Sequence, residues 1–249
     1  MTTALITGAT SGIGAAFADR LAADGHDLVL VARSESTLQE KAATLRAGGV
    51  EVEVLVADLA DREAVEQVAE RLRSEGSPVD LLINNAGFGT GQGFLENDIA
   101  EEERSMAVMM QAVMVLSHAA GRAMAERGHG AIINVSSVAS FMYSGSYSAA
   151  KAWVTTFTEG IATELEPRGV VATALCPGLT RTDFHRRAGI TGIDQAALWL
   201  QVDDVVDTCL ADVRRRKVIS VPGVQYKVLT SALEVMPRPL ARAISRALR

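Results

Sequence analysis

The chain has 249 residues, a formal net charge of −6 and 48% hydrophobic residues. That length supports one α/β domain spanning 1–249 with a large core, and the acidic balance argues against a general nucleic-acid binder. Its two cysteines, Cys176 and Cys209, suit a reducing compartment and lack metal-ligand spacing; with no apolar run of membrane-span length and a glycine loop already at Gly8, the expectation is a cytoplasmic protein without a leader, a stable membrane insertion or a metal centre.

Residues 3–7 read as a short buried strand, Gly8-Ala-Thr-Ser-Gly-Ile-Gly14 follows at once, and residues 15–23 read as a helix. Strand, glycine loop and helix form the setting of a dinucleotide fingerprint. Gly8 permits a tight turn, Gly12 lets the backbone approach a pyrophosphate, and Gly14 lets helix and strand pack closely. The free N–H groups and the helix dipole then face phosphates. Gly8, Thr10, Ser11, Gly12, Ile13 and Gly14 are therefore candidate cofactor contacts.

Residues 28–32 form an apolar run without alternation, as in a parallel sheet covered on both faces. Helices are expected over 36–47 and 61–74, the second capped by Asp61, and strands over 51–56 and 80–83. A long helix is expected over 100–126, then a strand over 131–135, a helix over 147–166 and a strand over 170–175. A helix over 202–215 and a seventh strand over 218–221 complete the pattern. Such alternation predicts a three-layer, doubly wound parallel sheet of seven strands with helices on both faces, a Rossmann fold. Residues 182–200 lack a clean period and read as a substrate loop. Residues 226–249 read as an amphipathic basic helix broken by Pro237 and Pro239, more consistent with packing on the domain edge than with a membrane surface.

Tyr147-Ser-Ala-Ala-Lys151 places a phenol and an ammonium one helical turn apart on one face. An ammonium beside a phenol favours the phenolate. Moving a phenol from about 10 to about 7 takes roughly 4 kcal/mol, so the expectation is a tyrosine able to exchange a proton near neutral pH. After the second strand stands Ala32-Arg33-Ser34, with no acid at the position that binds a ribose 2′-hydroxyl. Arg33 offers several donors to a 2′-phosphate and Ser34 adds a hydroxyl, which predicts NADP(H); the alternative is a surface arginine paired with Glu35.

The glycine spacing, Asn84-Asn85-Ala86-Gly87, Ser137, Tyr147-x-x-x-Lys151 and Pro177-Gly178 together resemble the short-chain dehydrogenase/reductase family over about residues 3–182. The wording is similar to bacterial NADPH-dependent carbonyl reductases and to the 17β-hydroxysteroid and 3-ketoacyl reductase branch. The resemblance implies hydride transfer between NADP(H) and a carbonyl or alcohol, with Tyr147 as general acid or base. It implies that Lys151 holds the nicotinamide ribose and that Ser137, with Ser136 as fallback, bonds the substrate oxygen. Asp58 and Leu59 would flank the adenine, Asn85, Ala86 and Gly87 would line the cofactor, and Pro177, Gly178, Thr180 and Thr182 would meet the carboxamide and phosphates. A homodimer or homotetramer is implied as well. The interval from Ser137 to Tyr147 is shorter than the family's commonest spacing, and Met109 stands where the family carries a relay asparagine. A thioether is at best a weak acceptor, which keeps open an NADP(H)-binding sensor or scaffold with weak catalysis. Phe88, Phe94, Phe141, Met142, His185 and residues 184–199 are the expected substrate wall.

Overall fold

Seven parallel strands run in the order β3-β2-β1-β4-β5-β6-β7. They are β1 (Thr3–Thr7), β2 (Asp27–Ala32), β3 (Val52–Val56), β4 (Leu81–Asn84), β5 (Gly130–Val135), β6 (Val170–Leu175) and β7 (Ile219–Ser220). This computed structural model describes residues 2–90, 92–184 and 198–247, for 244, 246 and 247 the backbone only. The apolar strands have a simple cause. Alternate residues of one strand point to opposite faces, and here both faces are covered. Ala4, Ile6, Leu28, Leu30 and Ile83 pack with Phe17, Leu38 and Val205 on one side. Leu5, Val29, Val31, Leu82 and Ile132 pack with Val65, Leu72 and Leu116 on the other. The first face is covered by α1 (Gly12–Ala23), α2 (Glu35–Arg46) and α7 (Val202–Arg214). The second is covered by α3 (Arg62–Arg73) and α5 (Ala112–Arg127), with α6 (Gly145–Leu165) lying along β6. Asp61 caps α3 as expected, its carboxylate accepting from the Glu63 N–H at 2.9 Å.

Strand order reverses between β1 and β4, whose neighbouring ends carry the glycine loop and Asn85-Ala86-Gly87. In open parallel sheets ligands sit in the crevice beyond such a switch point. A buried polar chain stiffens the strands that lead to it. The Asn84 amide donates to Ser117 Oγ at 3.1 Å and to Asn134 Oδ1 at 2.9 Å, and the Asn134 amide donates to Thr158 Oγ1 at 3.0 Å. Every member is paired, so the network orients β4, β5, α5 and α6 without leaving an orphaned group.

Three elements differ from expectation. Helix α1 begins at Gly12, within the glycine motif; glycine is a poor helix former inside a helix, but in the first turn its amide has no intrahelical partner to lose. The long helix is interrupted. After α4 (Ile99–Met106) the chain makes a π turn over Ala107–Gln111, the Ala112 N–H donating to the Ala107 carbonyl, before α5 resumes. The tail is two helices, α8 (Val224–Val235) and α9 (Arg238–Ala247). The break falls at Met236, held extended by Pro237, whereas Pro239 lies inside the first turn of α9, where proline is tolerated. Among the described residues no helix is long and apolar enough to cross a membrane.

Candidate active site

The glycine loop is braced from the adjacent strand. Gly8 has a φ of +67°, which favours glycine, and a Cβ on Gly14 would stand 2.4 Å from the Gly8 carbonyl oxygen. The Asn85 amide donates to the carbonyls of Thr7 at 2.9 Å and Gly8 at 3.2 Å. Thr7 Oγ1 accepts from the N–H groups of Asn85 at 3.0 Å and Ala86 at 3.1 Å. Asn85 thus spends its side chain on the loop's shape. Ser11 flanks α1 without capping it through its side chain, so the helix N-terminus keeps its anion-binding character. Beside it lies a cavity of about 580 Å³ lined by Gly12, Arg181, Thr182, Asp183, Trp199 and Val202. Backbone donors at a helix start, glycines where side chains would intrude and a cavity of this size fit the diphosphate end of a dinucleotide.

Ser137, Tyr147 and Lys151 come together at the ends of β5 and α6. The short interval between Ser137 and Tyr147 is taken up by a 3₁₀ turn over Val138–Phe141, which Ser137 starts by accepting from the Ala139 N–H at 3.1 Å. That leaves the Ser137 hydroxyl proton available, and Ser137 is close enough to the Tyr147 phenol to favour its ionised form. Ser136 is not a competitor: it is buried, donates to the Lys151 carbonyl at 2.8 Å and meets Thr155 Oγ1 at 2.7 Å. Tyr143 is exposed. Lys151 is buried, its ammonium donating to the Val135 carbonyl at 2.8 Å and lying 5.8 Å from the centroid of the Tyr147 ring.

The expectation of an acidified phenol is corrected. Burial pushes the Tyr147 phenol up to about 12, with the neighbouring Ser137 hydroxyl opposing. Burial likewise pulls Lys151 down to about 8, opposed by charge coupling to Cys176. Desolvation penalises both charged forms, and the Lys151 ammonium, 5.8 Å from the ring centroid, does not offset it for the phenol. The phenol therefore holds its proton at neutral pH.

Met109 lies buried in the π turn. A Cβ on Gly87 would sit 3.5 Å from the Met109 sulfur and 3.6 Å from Lys151 Nζ, so the thioether and the ammonium flank the same glycine. Gln111, on the other side of the turn, is exposed.

Where the adenine is expected, Leu59 is part of the core, and Asp58 accepts from the Ala60 N–H at 3.0 Å and from Arg104 Nη2 at 2.6 Å. Desolvation raises the Asp58 carboxyl, but Arg104, Ala60 and the more distant Arg33 together hold it below its usual range. Arg33 is exposed at the end of β2, beside Ser34, which precedes α2 and meets Thr37 Oγ1 at 2.9 Å. Beyond β6, the Thr180 hydroxyl donates to the Gly178 carbonyl at 3.0 Å, and a Cβ on Gly12 would reach Thr182 at 3.5 Å.

Of the expected substrate wall, Phe184 is at the site, its ring centroid 5.9 Å from that of Tyr147. Phe88 and Phe141 pack against core clusters and Phe94 is exposed. His185 and residues 185–197 lie outside the described residues. Both cysteines are buried. Sequence reasoning missed Thr7, Arg104, Tyr226 and Ser245. The Ser245 hydroxyl accepts the Tyr143 N–H at 3.1 Å, and Tyr226 bonds the backbone at Leu179, before the expected substrate loop, and at Leu198, near that loop's end. None of the four belongs to a local motif; only their partners identify them.

Residues 2–191 match the family model described as short chain dehydrogenase. The probable oxidoreductase EphD of Mycobacterium tuberculosis is 32% identical over 94% of this chain, which spans only 43% of that protein's length. A short-chain dehydrogenase from Sphingobium yanoikuyae, solved in complex with NADPH, superposes with a TM-score of 0.86 at 36% identity, covering 96% of this chain and 97% of that one. A short-chain dehydrogenase/reductase from Burkholderia phymatum, solved with NAD, gives 0.82 at 26% identity, with 96% of each chain covered.

Proposed function

The chain belongs to the short-chain dehydrogenase family, whose members bind a nicotinamide cofactor, and from that premise we propose that it is an NADPH-dependent reductase converting a ketone or aldehyde to an alcohol. The observation that carries this reading is the gathering of Ser137, Tyr147 and buried Lys151, its Nζ 5.8 Å from the Tyr147 ring centroid, at the strand ends next to the glycine loop. Hydride is the chemistry that the bound nicotinamide supplies. The chain's own residues orient the carbonyl and manage its proton. Ser137 donates to the substrate oxygen and stabilises charge developing there. Tyr147 delivers a proton to that oxygen as a general acid, its phenol being protonated at neutral pH. Lys151 holds ribose hydroxyls and, while charged, lowers the cost of phenolate formation. Phe184 beside Tyr147 favours an apolar substituent on the carbonyl.

Arg33 supports NADP(H): it is exposed at the end of β2, and Asp58, the nearby carboxylate, is paired with Arg104 and so repels a 2′-phosphate less. Pro177, Thr180 and Thr182 would meet the nicotinamide half. Exposed Met106 and Met114 support self-association into a homodimer or homotetramer, and the setting is cytoplasmic.

The test is a panel of ketones and aldehydes followed by NADPH absorbance. Tyr147→Phe is expected to lower kcat at least about 1,000-fold with NADPH affinity within about twofold. Wild type and variant consuming NADPH equally slowly on every compound would favour the sensor reading prompted by Met109. Arg33→Ala is expected to raise KM for NADPH about tenfold and leave NADH unchanged, the scale of one charge-assisted phosphate contact; equal effects on both cofactors would remove the NADP(H) assignment.

A further inference from the structure

Tyr226, on the first turn of α8, is buried at 5% exposure, and its hydroxyl makes two bonds to separate stretches of backbone. It accepts from the Leu179 N–H at 3.0 Å and donates to the Leu198 carbonyl at 2.7 Å. Leu179 follows the Pro177-Gly178 turn, and Leu198 precedes α7. The two stems are also joined directly. The Leu200 N–H donates to the Leu179 carbonyl at 2.8 Å, the Arg181 N–H donates to the Leu200 carbonyl at 2.9 Å, and Thr180 pairs with Leu200 in a parallel bridge. The ring packs so closely on Gly178 that a Cβ there would fall 2.1 Å from the Tyr226 Cζ. Only glycine fits, and the contact sets the distance between turn and helix. Tyr226 shares a buried cluster with Ala174, Cys176 and Val221, against which Val138 and Phe141 of the Ser137 turn also pack.

The stems that Tyr226 joins also form a wall. Arg181 and Thr182 from one stem and Trp199 from the other line the cavity facing Gly12. A phenylalanine would fill the same space and leave the stems untied at this point. We propose that Tyr226 is a positioning residue: its hydroxyl ties Leu179 to Leu198 and so sets the wall against which the dinucleotide rests. The role rests on the reductase reading above, and it goes beyond the glycine loop and the Ser137, Tyr147 and Lys151 group because it assigns cofactor affinity to a helix that follows the last strand.

Tyr226→Phe in the full chain tests the assignment. NADPH binding is followed by fluorescence titration, kcat and KM with a carbonyl substrate by absorbance, and amide exchange at Leu179 and Leu200 by NMR. Expected are an NADPH Kd about tenfold higher, KM for NADPH rising with it, kcat within twofold, and faster exchange confined to Leu179 and Leu200. Val228→Ala, on the exposed face of the same helix, leaves all of these unchanged. An unchanged Kd overturns the proposal, as does exchange that quickens evenly over the sheet, since that marks a general loss of stability. A variant that does not fold also overturns it, because a hydroxyl that only positions the stems is dispensable for the core. If the wild-type chain binds no dinucleotide, the reductase reading falls separately; the tie is then judged by Leu179 exchange, where local acceleration upholds it and no change overturns it.

Discussion

The two rims of the crevice are built differently. The glycine-loop rim belongs to the sheet: β1 and β4 are adjacent parallel strands, and Thr7 and Asn85 lock their ends through bonds of 2.9–3.2 Å. The opposite rim, carrying Ser137 and Pro177-Gly178, leans on elements outside the sheet. Tyr226 of α8 holds one turn, and Ser245 of α9 holds the stretch before Tyr147 through the Tyr143 N–H. A rim made of strand ends inherits the rigidity of the core. A rim held by helices that follow the last strand depends on how those helices dock, and it is where chains sharing one sheet are free to differ.

Breaking the rigid rim gives the largest expected effect. Gly14→Ala places a methyl 2.3 Å from the Asn85 amide nitrogen and 2.4 Å from the Gly8 oxygen. Backbone must move, at a cost of about 3 kcal/mol. Urea unfolding should show that loss, together with NADPH binding too weak to titrate. A wild-type midpoint would mean the loop is softer than its bonds imply.

The boundary between the rims is sharpened by pH. Lys151 loses its charge as pH rises through about 8, so kcat/KM for NADPH, which reports the free enzyme, should fall above that value, and Lys151→Arg should remove the inflection from whatever activity it retains. Stability moves the other way. The folded pKa is depressed while the unfolded lysine holds its proton to about 10.5, so the unfolded state binds more protons between 8 and 10.5 and the fold gains stability across that window. The thiols of Cys176 and Cys209 from about pH 9, and the Tyr147 phenol above pH 10, have raised folded pKa values and oppose this, since there the folded state binds the extra protons. A urea midpoint falling from pH 7.5 to 8.5, below the range where the buried thiols contribute, would contradict the burial assigned to Lys151.

The smallest effect is expected on the leaning rim. Ser245→Ala removes the acceptor for the Tyr143 N–H and the donor to the Ala241 carbonyl. About 1 kcal/mol of stability should go, with kcat down about threefold and KM for NADPH unchanged. A rise in that KM equal to that of Tyr226→Phe would mean both helices act on one wall instead of on separate turns.

Local chemistry carried much of this molecule into view. Unbroken apolar runs such as Leu28–Ala32 announce strands buried on both faces, because a strand with one wet face must alternate. The glycine spacing announces the loop, because backbone approach and helix–strand contact leave no space for a side chain there. Tyr147 and Lys151 share a face because a helix repeats near four residues. Other features depend on burial and on partners remote in the chain. The direction of the Tyr147 shift followed from desolvation, which no pairwise spacing contains. The π turn around Met109 adds a residue to a helical turn without a mark in the hydrophobic period. Tyr226 and Ser245 looked like ordinary residues of an amphipathic tail. Their roles come from the backbone groups they meet after folding, and hydrogen-bond partners that distant in sequence are chosen by the packing of whole helices, which only the tertiary structure decides.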